Sequence, residues 1–138
     1  MEPRELIARA EQAMLGAYAP YSGFYVGAAL LTKSGRVYTG CNIENAAYSP
    51  SNCAERTAFF KAVSEGERSF SAIAVVGGEK GKIRSFCPPC GVCRQVMLEF
   101  CGPDFLIYLW DGETIRAVPL TEMVPYAFTA EEHLNNKE

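Results

Sequence analysis

The stretch Phe70-Ser71-Ala72-Ile73-Ala74-Val75-Val76 is almost entirely apolar and ends at Gly77-Gly78. A short apolar run that is bounded by glycine is typical of a strand buried on both faces. Such a strand needs helices above and below the sheet to which it belongs. The stretch therefore predicts an α/β fold with a strand over 70–76.

Helical and strand patterns alternate on both sides of this strand, in the order αββαβαββα. Apolar residues at helical spacing predict the helices, and turn formers such as Ser34-Gly35 and Asp111-Gly112 separate the strands. The predicted elements are a helix over 3–18, strands over 24–32 and 36–43, a helix capped by Ser51 or Asn52 that ends at Ser64, the strand over 70–76, a helix over 89–101, strands over 105–109 and 114–118, a short helix from Thr121 towards Val124, and a helical end or mobile tail around His133.

This order of elements predicts a layered architecture. Right-handed β-α-β crossovers place helices on both faces of a sheet. We therefore expect a three-layer α/β/α fold around a mixed five-stranded sheet. Gly27 and Gly40 interrupt their strands, which predicts bulges or a close approach of neighbouring backbone.

Composition excludes several classes of protein. The 138 residues include 13 basic and 16 acidic side chains, and the basic ones are scattered, which disfavours nucleic-acid binding. No apolar run approaches the roughly 20 residues of a membrane span, and the N-terminus has no secretory signal pattern. No linker or repeat divides the chain, so we expect a single domain over 1–138. From the scattered charge and the absence of a span or signal pattern, we expect a cytoplasmic location without a nucleic-acid or membrane partner.

Six cysteines in a chain without an export signal favour metal ligation over disulfides. Cys90 and Cys93 form a Cys-x-x-Cys pair at a predicted helix start, so both sulfurs can reach one ion. Cys53 lies at another predicted helix start, and helix N-termini favour thiolates. Three thiolates predict zinc rather than a harder ion, with a fourth position open for water.

The remaining cysteines, Cys41, Cys87 and Cys101, are expected to be small buried apolar residues. Cys87 precedes Cys90 by three residues and could compete for the metal. Taken singly, the three candidate ligands are also compatible with core cysteines or with part of a closed four-thiolate site.

The presence of Glu55 favours a catalytic zinc site over a structural one. Cys-Ala-Glu followed by Pro-Cys-x-x-Cys matches the signature of zinc deaminases, in which the glutamate is not a ligand. Zinc lowers the pKa of a water molecule, and a nearby carboxylate can move protons from that water to a ring nitrogen and to departing ammonia. Glu55 is therefore a candidate general base and acid, although a glutamate at a helix start also interacts favourably with the helix dipole.

The chain resembles the small, homotetrameric cytidine deaminases along nearly its whole length. The motifs that carry the resemblance are Phe24-Tyr25-Val26-Gly27-Ala28-Ala29, Cys41-Asn42-Ile43-Glu44-Asn45, Cys53-Ala54-Glu55-Arg56-Thr57-Ala58 and Pro89-Cys90-Gly91-Val92-Cys93-Arg94-Gln95. The resemblance implies one zinc ion per subunit on Cys53, Cys90 and Cys93. It also implies hydrolytic deamination of cytidine and 2′-deoxycytidine in pyrimidine salvage, by a homotetramer whose sites lie near subunit interfaces.

The same resemblance implies which residues bind the nucleoside. Asn42 and Glu44 would hydrogen-bond the ribose, Phe24 would pack on the pyrimidine, and Glu55 and the backbone of Ala54 would read the edge of the base. Without the resemblance, Phe24 would be interpreted as core, and the Asn-x-Glu pair as part of a turn.

Two further aromatic residues resemble positions that the family shares between subunits. Phe128 would close the pocket, often from a neighbouring subunit, and Tyr48 would be lent across the interface. The loop Tyr48-Ser49-Pro50-Ser51 departs from the family's usual sequence, as does Tyr25, and Pro50 could stiffen the approach to Cys53. These departures concern the subunit contact rather than the predicted zinc ligands.

Charge refines two of these expectations. A carboxylate beside the ribose repels a phosphate, so Glu44 favours a free nucleoside over a nucleotide.

Zinc with three thiolates carries a net charge of about −1, which weakens its acidification of water. Arg56, three residues after Cys53, shares a helix face with that ligand and resembles the family arginine that hydrogen-bonds ligand sulfurs. Its ordinary alternative is a solvated surface arginine.

Two other functions stay open on the sequence alone: a deaminase of another cytosine-containing compound such as blasticidin S, and a non-catalytic zinc-binding module. The combination of Phe24, Asn42 and Phe128 favours a pyrimidine nucleoside, and Glu55 favours catalysis. Chemistry based on histidine fits poorly because the only histidine, His133, lies in the polar tail. Gly77-Gly78 is too short a signal for a phosphate-binding loop.

Overall fold

The structure is a computed structural model that describes residues 1–134. The helices and strands are α1 (Pro3–Met14), β1 (Phe24–Thr32), β2 (Val37–Cys41), α2 (Ala54–Ser64), β3 (Phe70–Glu79), α3 (Gly91–Phe100), β4 (Leu106–Trp110), β5 (Ile115–Pro119), α4 (Leu120–Met123) and α5 (Ala130–His133). In the described part of the chain, no helix combines the length and the apolar character that crossing a membrane requires.

The strands form one mixed five-stranded sheet in the order β2-β1-β3-β4-β5. β3 and β4 are parallel, and the other neighbouring pairs are antiparallel. β2, β3 and β4 therefore run in one direction, with β1 and β5 opposed to them. This arrangement confirms the predicted mixed sheet.

β3 is buried on both faces, as its sequence predicts. Ile73 and Val75 pack into a cluster with α2 and α3 on one face, whereas Ala74 and Val76 pack against α1 on the other. All four residues have a solvent exposure of 0%. Since successive strand residues point to opposite faces, this single run supplies both cores. The three-layer α/β/α architecture follows, with α1 on one side of the sheet and α2 and α3 on the other.

Gly27 and Gly40 allow two helices to lie unusually close to the sheet. A Cβ atom on Gly27 would lie 2.0 Å from the Ala10 carbonyl oxygen in α1, and one on Gly40 would lie 2.5 Å from the Ala54 carbonyl oxygen in α2. The expectation of close approach is therefore confirmed at both positions. The register irregularity of β1 lies elsewhere, between Leu31 and Thr32.

Several predicted element ends were wrong, each because a tertiary contact overrides a local signal. β3 continues through the two glycines to Glu79 because β1 pairs with it as far as Phe24. α1 ends at Met14 instead of Tyr18, which forms a bridge with Ile43. The last helix includes His133, and the rest of the predicted tail, 135–138, lies outside the described residues.

The cap predicted for α2 was also wrong. Asn52 forms a bridge with Ile43, through hydrogen bonds in both directions of 2.9 Å, so it belongs to an extended segment. The N-cap is Cys53. The helix therefore begins directly at the candidate metal ligand.

The topology places two helix starts at one edge of the sheet. α2 follows β2 and α3 follows β3, and these strands run in the same direction with only β1 between them. The N-termini of α2 and α3 consequently lie at the same edge, where the carboxyl ends of parallel strands form binding crevices.

The close approach at Gly40 generates a prediction about stability. Gly40→Ala should lower the free energy of unfolding by about 1–3 kcal/mol, because the methyl group must displace the backbone of α2. Gly27→Ala should have an effect of at least this size, since its clash with α1 is closer. Urea denaturation measures both changes.

Gly102→Ala is the matched control, since a Cβ built at that position has no atom within 4 Å from any other part of residues 1–134 beyond its two chain neighbours. If Gly40→Ala loses no more stability than Gly102→Ala, the close packing of α2 on β2 does not constrain the fold.

Candidate metal centre and active site

Three cysteine sulfurs meet where α2 and α3 begin. The Sγ atoms of Cys53, Cys90 and Cys93 all lie within 4.8 Å of one another, and those of Cys53 and Cys90 are 3.7 Å apart. Two sulfurs bound tetrahedrally to one zinc ion at about 2.3 Å would lie about 3.8 Å apart. The donor set and spacing therefore fit zinc. Among residues 1–134 this group has three members, and Cys87 is not one of them.

Helix geometry explains why the thiols converge. Cys53 is the N-cap of α2 and Cys90 is the N-cap of α3, and neither helix has a side-chain cap at its N-terminus. Cys93 lies in the first turn of α3 and is 1% exposed. The first N–H groups of a helix lack partners within the helix, and a thiol at the helix start is favoured in its anionic form.

The pKa values of Cys53 and Cys93 shift in opposite directions. Hydrogen bonds from Cys93 and Arg56 lower the pKa of Cys53 to about 5. The hydrogen bond that Cys93 makes with Cys53, together with burial, raises the pKa of Cys93. All three groups can be thiolates together only when a cation compensates their charge, so this cluster is suited to metal binding that releases protons.

Arg56 contacts the cluster as its spacing predicts. Its Nη2 donates to Cys53 Sγ at 3.3 Å. The Nε atom of the same guanidinium is buried and has no hydrogen-bond partner within residues 1–134. Arg56 is therefore a cation held against one sulfur of the cluster, and it is half-buried rather than a solvated surface arginine.

Glu55 is a buried carboxyl group beside the thiol cluster. It is 4% exposed, although it carries an ionisable group and lies in the first turn of α2. Burial raises the pKa of Glu55 to about 7, and the negative charge of Cys53 adds to the rise. A carboxyl group with a pKa near neutrality can both accept and donate a proton at physiological pH.

A cavity of about 550 Å³ opens above Glu55 and the cluster. Eight of the residues predicted for the site line it: Asn42, Glu44, Tyr48, Cys53, Ala54, Glu55, Arg56 and Cys90. Val26, Cys87 and Val92 supply apolar wall. A cavity of this size, partly apolar and with a few converging polar groups, is suited to binding a small polar molecule.

Asn42 and Glu44 reach the cavity from the segment after β2, and both are also bonded to the protein. Asn42 accepts from the Val26 N–H at 2.9 Å and donates to the Phe24 carbonyl at 2.8 Å. Glu44 accepts from the Ser22 hydroxyl and from the N–H groups of Tyr21 and Ser22 at 3.0 and 3.1 Å. The bond from the Ser22 hydroxyl contributes most to lowering the pKa of Glu44, and the two backbone bonds add to this effect, so the side chain stays anionic.

The aromatic residues predicted for the site lie at its margin or away from it. Phe24 is 41% exposed and lines a neighbouring depression with Gly77 and Gly78. Phe128 stacks on His133 at 4.8 Å and does not line the cavity of its own chain. Tyr48 does line the cavity and is 75% exposed.

Sequence reasoning missed the contribution of Tyr21 and Ser22, which fix the carboxylate of Glu44. They lie in a turn-forming stretch between the predicted first helix and first strand, and such a stretch gives no sign of a contact with a residue more than twenty positions away. Cys87 packs against the core, as predicted, and it also lines the cavity, which the sequence did not indicate. Burial raises the pKa of Cys87 to about 12, so it is a neutral thiol.

The family model for the zinc-binding region of cytidine and deoxycytidylate deaminases matches residues 1–109 of the chain. The chain is 50% identical over 133 residues to a cytidine deaminase of Sporosarcina psychrophila, covering 96% of this chain and 95% of that protein. It is 53% identical over 133 residues to a cytidine deaminase of Halalkalibacterium halodurans, with coverage of 96% and 98%.

Solved structures show the same fold. The cytidine deaminase from Burkholderia pseudomallei matches with a TM-score of 0.85 and 46% identity, covering 93% of this chain and 100% of that one. The predicted fold class is therefore confirmed.

The bonds of Asn42 generate a prediction that is independent of any ligand. Asn42→Ala removes both side-chain bonds to β1 and leaves the Val26 N–H and Phe24 carbonyl unpaired. It should lower the free energy of unfolding of the metal-free protein by about 1–3 kcal/mol. Asn45→Ala, which removes one local bond to the Ala47 N–H, is the control in the same urea titration. Equal losses would mean that Asn42 does not brace β1.

Proposed function

This chain belongs to the cytidine deaminase family, and we propose that it catalyses zinc-dependent hydrolysis of cytidine and 2′-deoxycytidine to uridine and 2′-deoxyuridine, with release of ammonia. The observation that carries the proposal is the buried Glu55 beside three clustered thiols, at the base of a cavity of about 550 Å³. A structural zinc site needs neither a buried carboxyl group nor a cavity.

Cys53, Cys90 and Cys93 are the residues proposed to hold one zinc ion per subunit. Three protein ligands are the number typical of catalytic zinc sites, whereas structural sites use four. When bound, zinc would lower the pKa of a water molecule and make it a nucleophile near neutral pH.

Glu55 is proposed to carry the protons of the reaction. Its carboxylate takes a proton from the water that attacks C4 of the base and passes it to ring nitrogen N3. It then takes the second proton of that water and delivers it to the amino nitrogen, which leaves as ammonia. A pKa of about 7 suits both directions of transfer, because neither protonation state of Glu55 is strongly disfavoured.

The nucleoside is proposed to be held from two sides. The N–H of Ala54, at the unpaired start of α2, faces the edge of the base, while Asn42 and Glu44 bind the ribose with the hydrogen-bonding capacity that their bonds to β1 and Ser22 leave free. Phe24 packs on the pyrimidine. The anionic Glu44 beside the sugar favours a nucleoside over its 5′-phosphate.

A homotetramer is proposed to complete the site. Phe128 is 54% exposed and lies away from its own cavity, and Tyr48 is 75% exposed at the rim of that cavity. Large aromatic side chains with this exposure are suited to a subunit interface. Phe128 would then close the cavity of a neighbouring copy, and Tyr48 would be shared across the contact.

The proposed reaction predicts the behaviour of Glu55→Gln. Glutamine keeps the shape of the side chain but cannot accept and return a proton, so turnover of cytidine should fall by about 100-fold to 10,000-fold. Bound zinc and the urea midpoint should stay close to wild type. Turnover is followed by ultraviolet absorbance, and zinc by atomic emission.

The substrate panel for that assay is cytidine, deoxycytidine, dCMP and blasticidin S. We expect turnover of the two nucleosides and little turnover of dCMP. Efficient turnover of dCMP would contradict the role of Glu44, and preference for blasticidin S would redirect the proposal to another cytosine compound. Bound zinc without turnover of any substrate would indicate a non-catalytic zinc module.

Arg56→Ala tests the charge balance at the thiols. We expect zinc to remain bound while turnover falls by about 10-fold to 100-fold, because the bond to Cys53 Sγ that offsets thiolate charge is lost. Arg4→Ala, which removes an exposed cation paired with Glu11, is the control. Unchanged kinetics in Arg56→Ala would refute the role.

A further inference from the structure

The side chain of Arg94 joins the loop that carries Cys90 to the end of α4. Its Nε donates to the Pro89 carbonyl at 2.7 Å, and its Nη1 donates to the Met123 carbonyl at 2.7 Å. One guanidinium therefore connects the residue before a candidate zinc ligand to α4, a separate helix that packs in the same core cluster as α3.

The Pro89 carbonyl depends on this donor. Pro89 precedes Cys90, the N-cap of α3, so its carbonyl lies outside the hydrogen-bond pattern of the helix. Its side chain is less than 2% exposed. Neither Pro88 nor Pro89 has an N–H with which the loop could anchor itself. Without Arg94, a poorly solvated carbonyl would be unpaired, and the loop would shift to satisfy it.

The other acceptor lies on a well-anchored element. α4 buries Leu120 and Met123, which are 1% and 8% exposed. Carbonyl groups at the C-terminus of a helix lack helical partners and attract cations, so the Met123 carbonyl is a suitable anchor. Conversely, Arg94 lies near the positive end of its own helix, where a cation is disfavoured. Helix stability alone does not explain an arginine at this position.

Gln95 makes a parallel connection. Its Nε2 donates to the Phe128 carbonyl at 2.8 Å. Consecutive side chains of α3 thus hold the end of α4 and the following segment. The start of α3, with its two cysteines, is thereby tied to the part of the chain that carries Phe128.

We propose that Arg94 is a positioning residue of the metal centre, which fixes Cys90 through the Pro89 carbonyl and sets its place relative to α4. Its bonds go to carbonyl groups and not to the thiols, so it acts through the loop rather than through charge on the sulfurs. The inference rests on the zinc site of the proposed function.

The test compares Arg94→Ala and Arg94→Lys with Arg68→Ala. Arg68 is a matched control because its Nη1 also donates to two backbone carbonyls, those of Val63 and Glu67, at 2.8 and 2.9 Å, but at the far end of α2 from Cys53. The measurements are the zinc dissociation constant by competition with a chromogenic chelator, the absorption spectrum of the Co²⁺-loaded protein, and the urea midpoint of the metal-free protein.

We expect Arg94→Ala to raise the zinc dissociation constant by about 10-fold to 100-fold, the usual effect of losing a partner that orients a metal ligand. The Co²⁺ ligand-field bands should shift as well, since they report the geometry of the sulfurs. Arg94→Lys, which can satisfy one carbonyl but not both, should give an intermediate value. Arg68→Ala should lower the urea midpoint without changing zinc affinity or the Co²⁺ spectrum.

Wild-type zinc affinity and an unchanged Co²⁺ spectrum in both Arg94 variants would overturn the inference while leaving the zinc site intact. An equal loss of affinity in Arg68→Ala would overturn it too, because the effect would then reflect general stability. If Arg94→Ala does not fold, the zinc affinity and Co²⁺ spectrum of Arg94→Lys test the inference alone. Absence of zinc binding by the wild-type protein would instead defeat the metal assignment on which the inference rests.

Discussion

The structure depends on the convergence of two helix N-termini at one edge of the sheet. β2 and β3 run in the same direction, so the helices that follow them both begin at that edge, and the sulfurs of their N-cap residues, Cys53 and Cys90, lie 3.7 Å apart. Gly40 makes this approach possible, because any side chain there would push α2 away from β2. Helix packing and thiol placement are therefore one constraint: a shift of α2 moves a thiol, the buried carboxyl group and the arginine together.

The same edge concentrates electrostatic conflicts that a metal ion would resolve. Three thiols and a buried carboxyl group share a small volume, and within residues 1–134 Arg56 is the one cation bonded to a sulfur of the cluster. Their pKa values consequently diverge, with Cys53 lowered to about 5 and Glu55 raised to about 7. Perturbed titratable groups that lie together in a cavity mark functional sites more often than structural ones. Here the pKa shifts in opposite directions make Cys53 a thiolate and Glu55 a group that exchanges protons near neutral pH.

The sequence predicted those features that depend on local pattern. The apolar run in β3 and the Cys-x-x-Cys spacing can each be recognised within a few residues, and crossover rules then predict a mixed sheet with helices on both faces. The contacts that escaped prediction join distant segments: Ser22 to Glu44, Arg94 to Met123, and the extension of β3 along β1. No periodicity encodes such pairs, because each depends on where two separately folded elements come to lie.

Asn42 and Glu44 show why the margin of the site is harder to interpret than its centre. Each side chain proposed to bind the sugar already serves the fold, Asn42 by extending the pairing of β1 and Glu44 by holding the loop at Ser22. A side chain fixed in this way loses little conformational freedom when a ligand arrives, which favours binding. It also means that substitution alters the frame of the cavity as well as a ligand contact. A loss of activity at either position therefore identifies a binding residue only when unfolding measurements show that β1 and the loop at Ser22 have kept their stability.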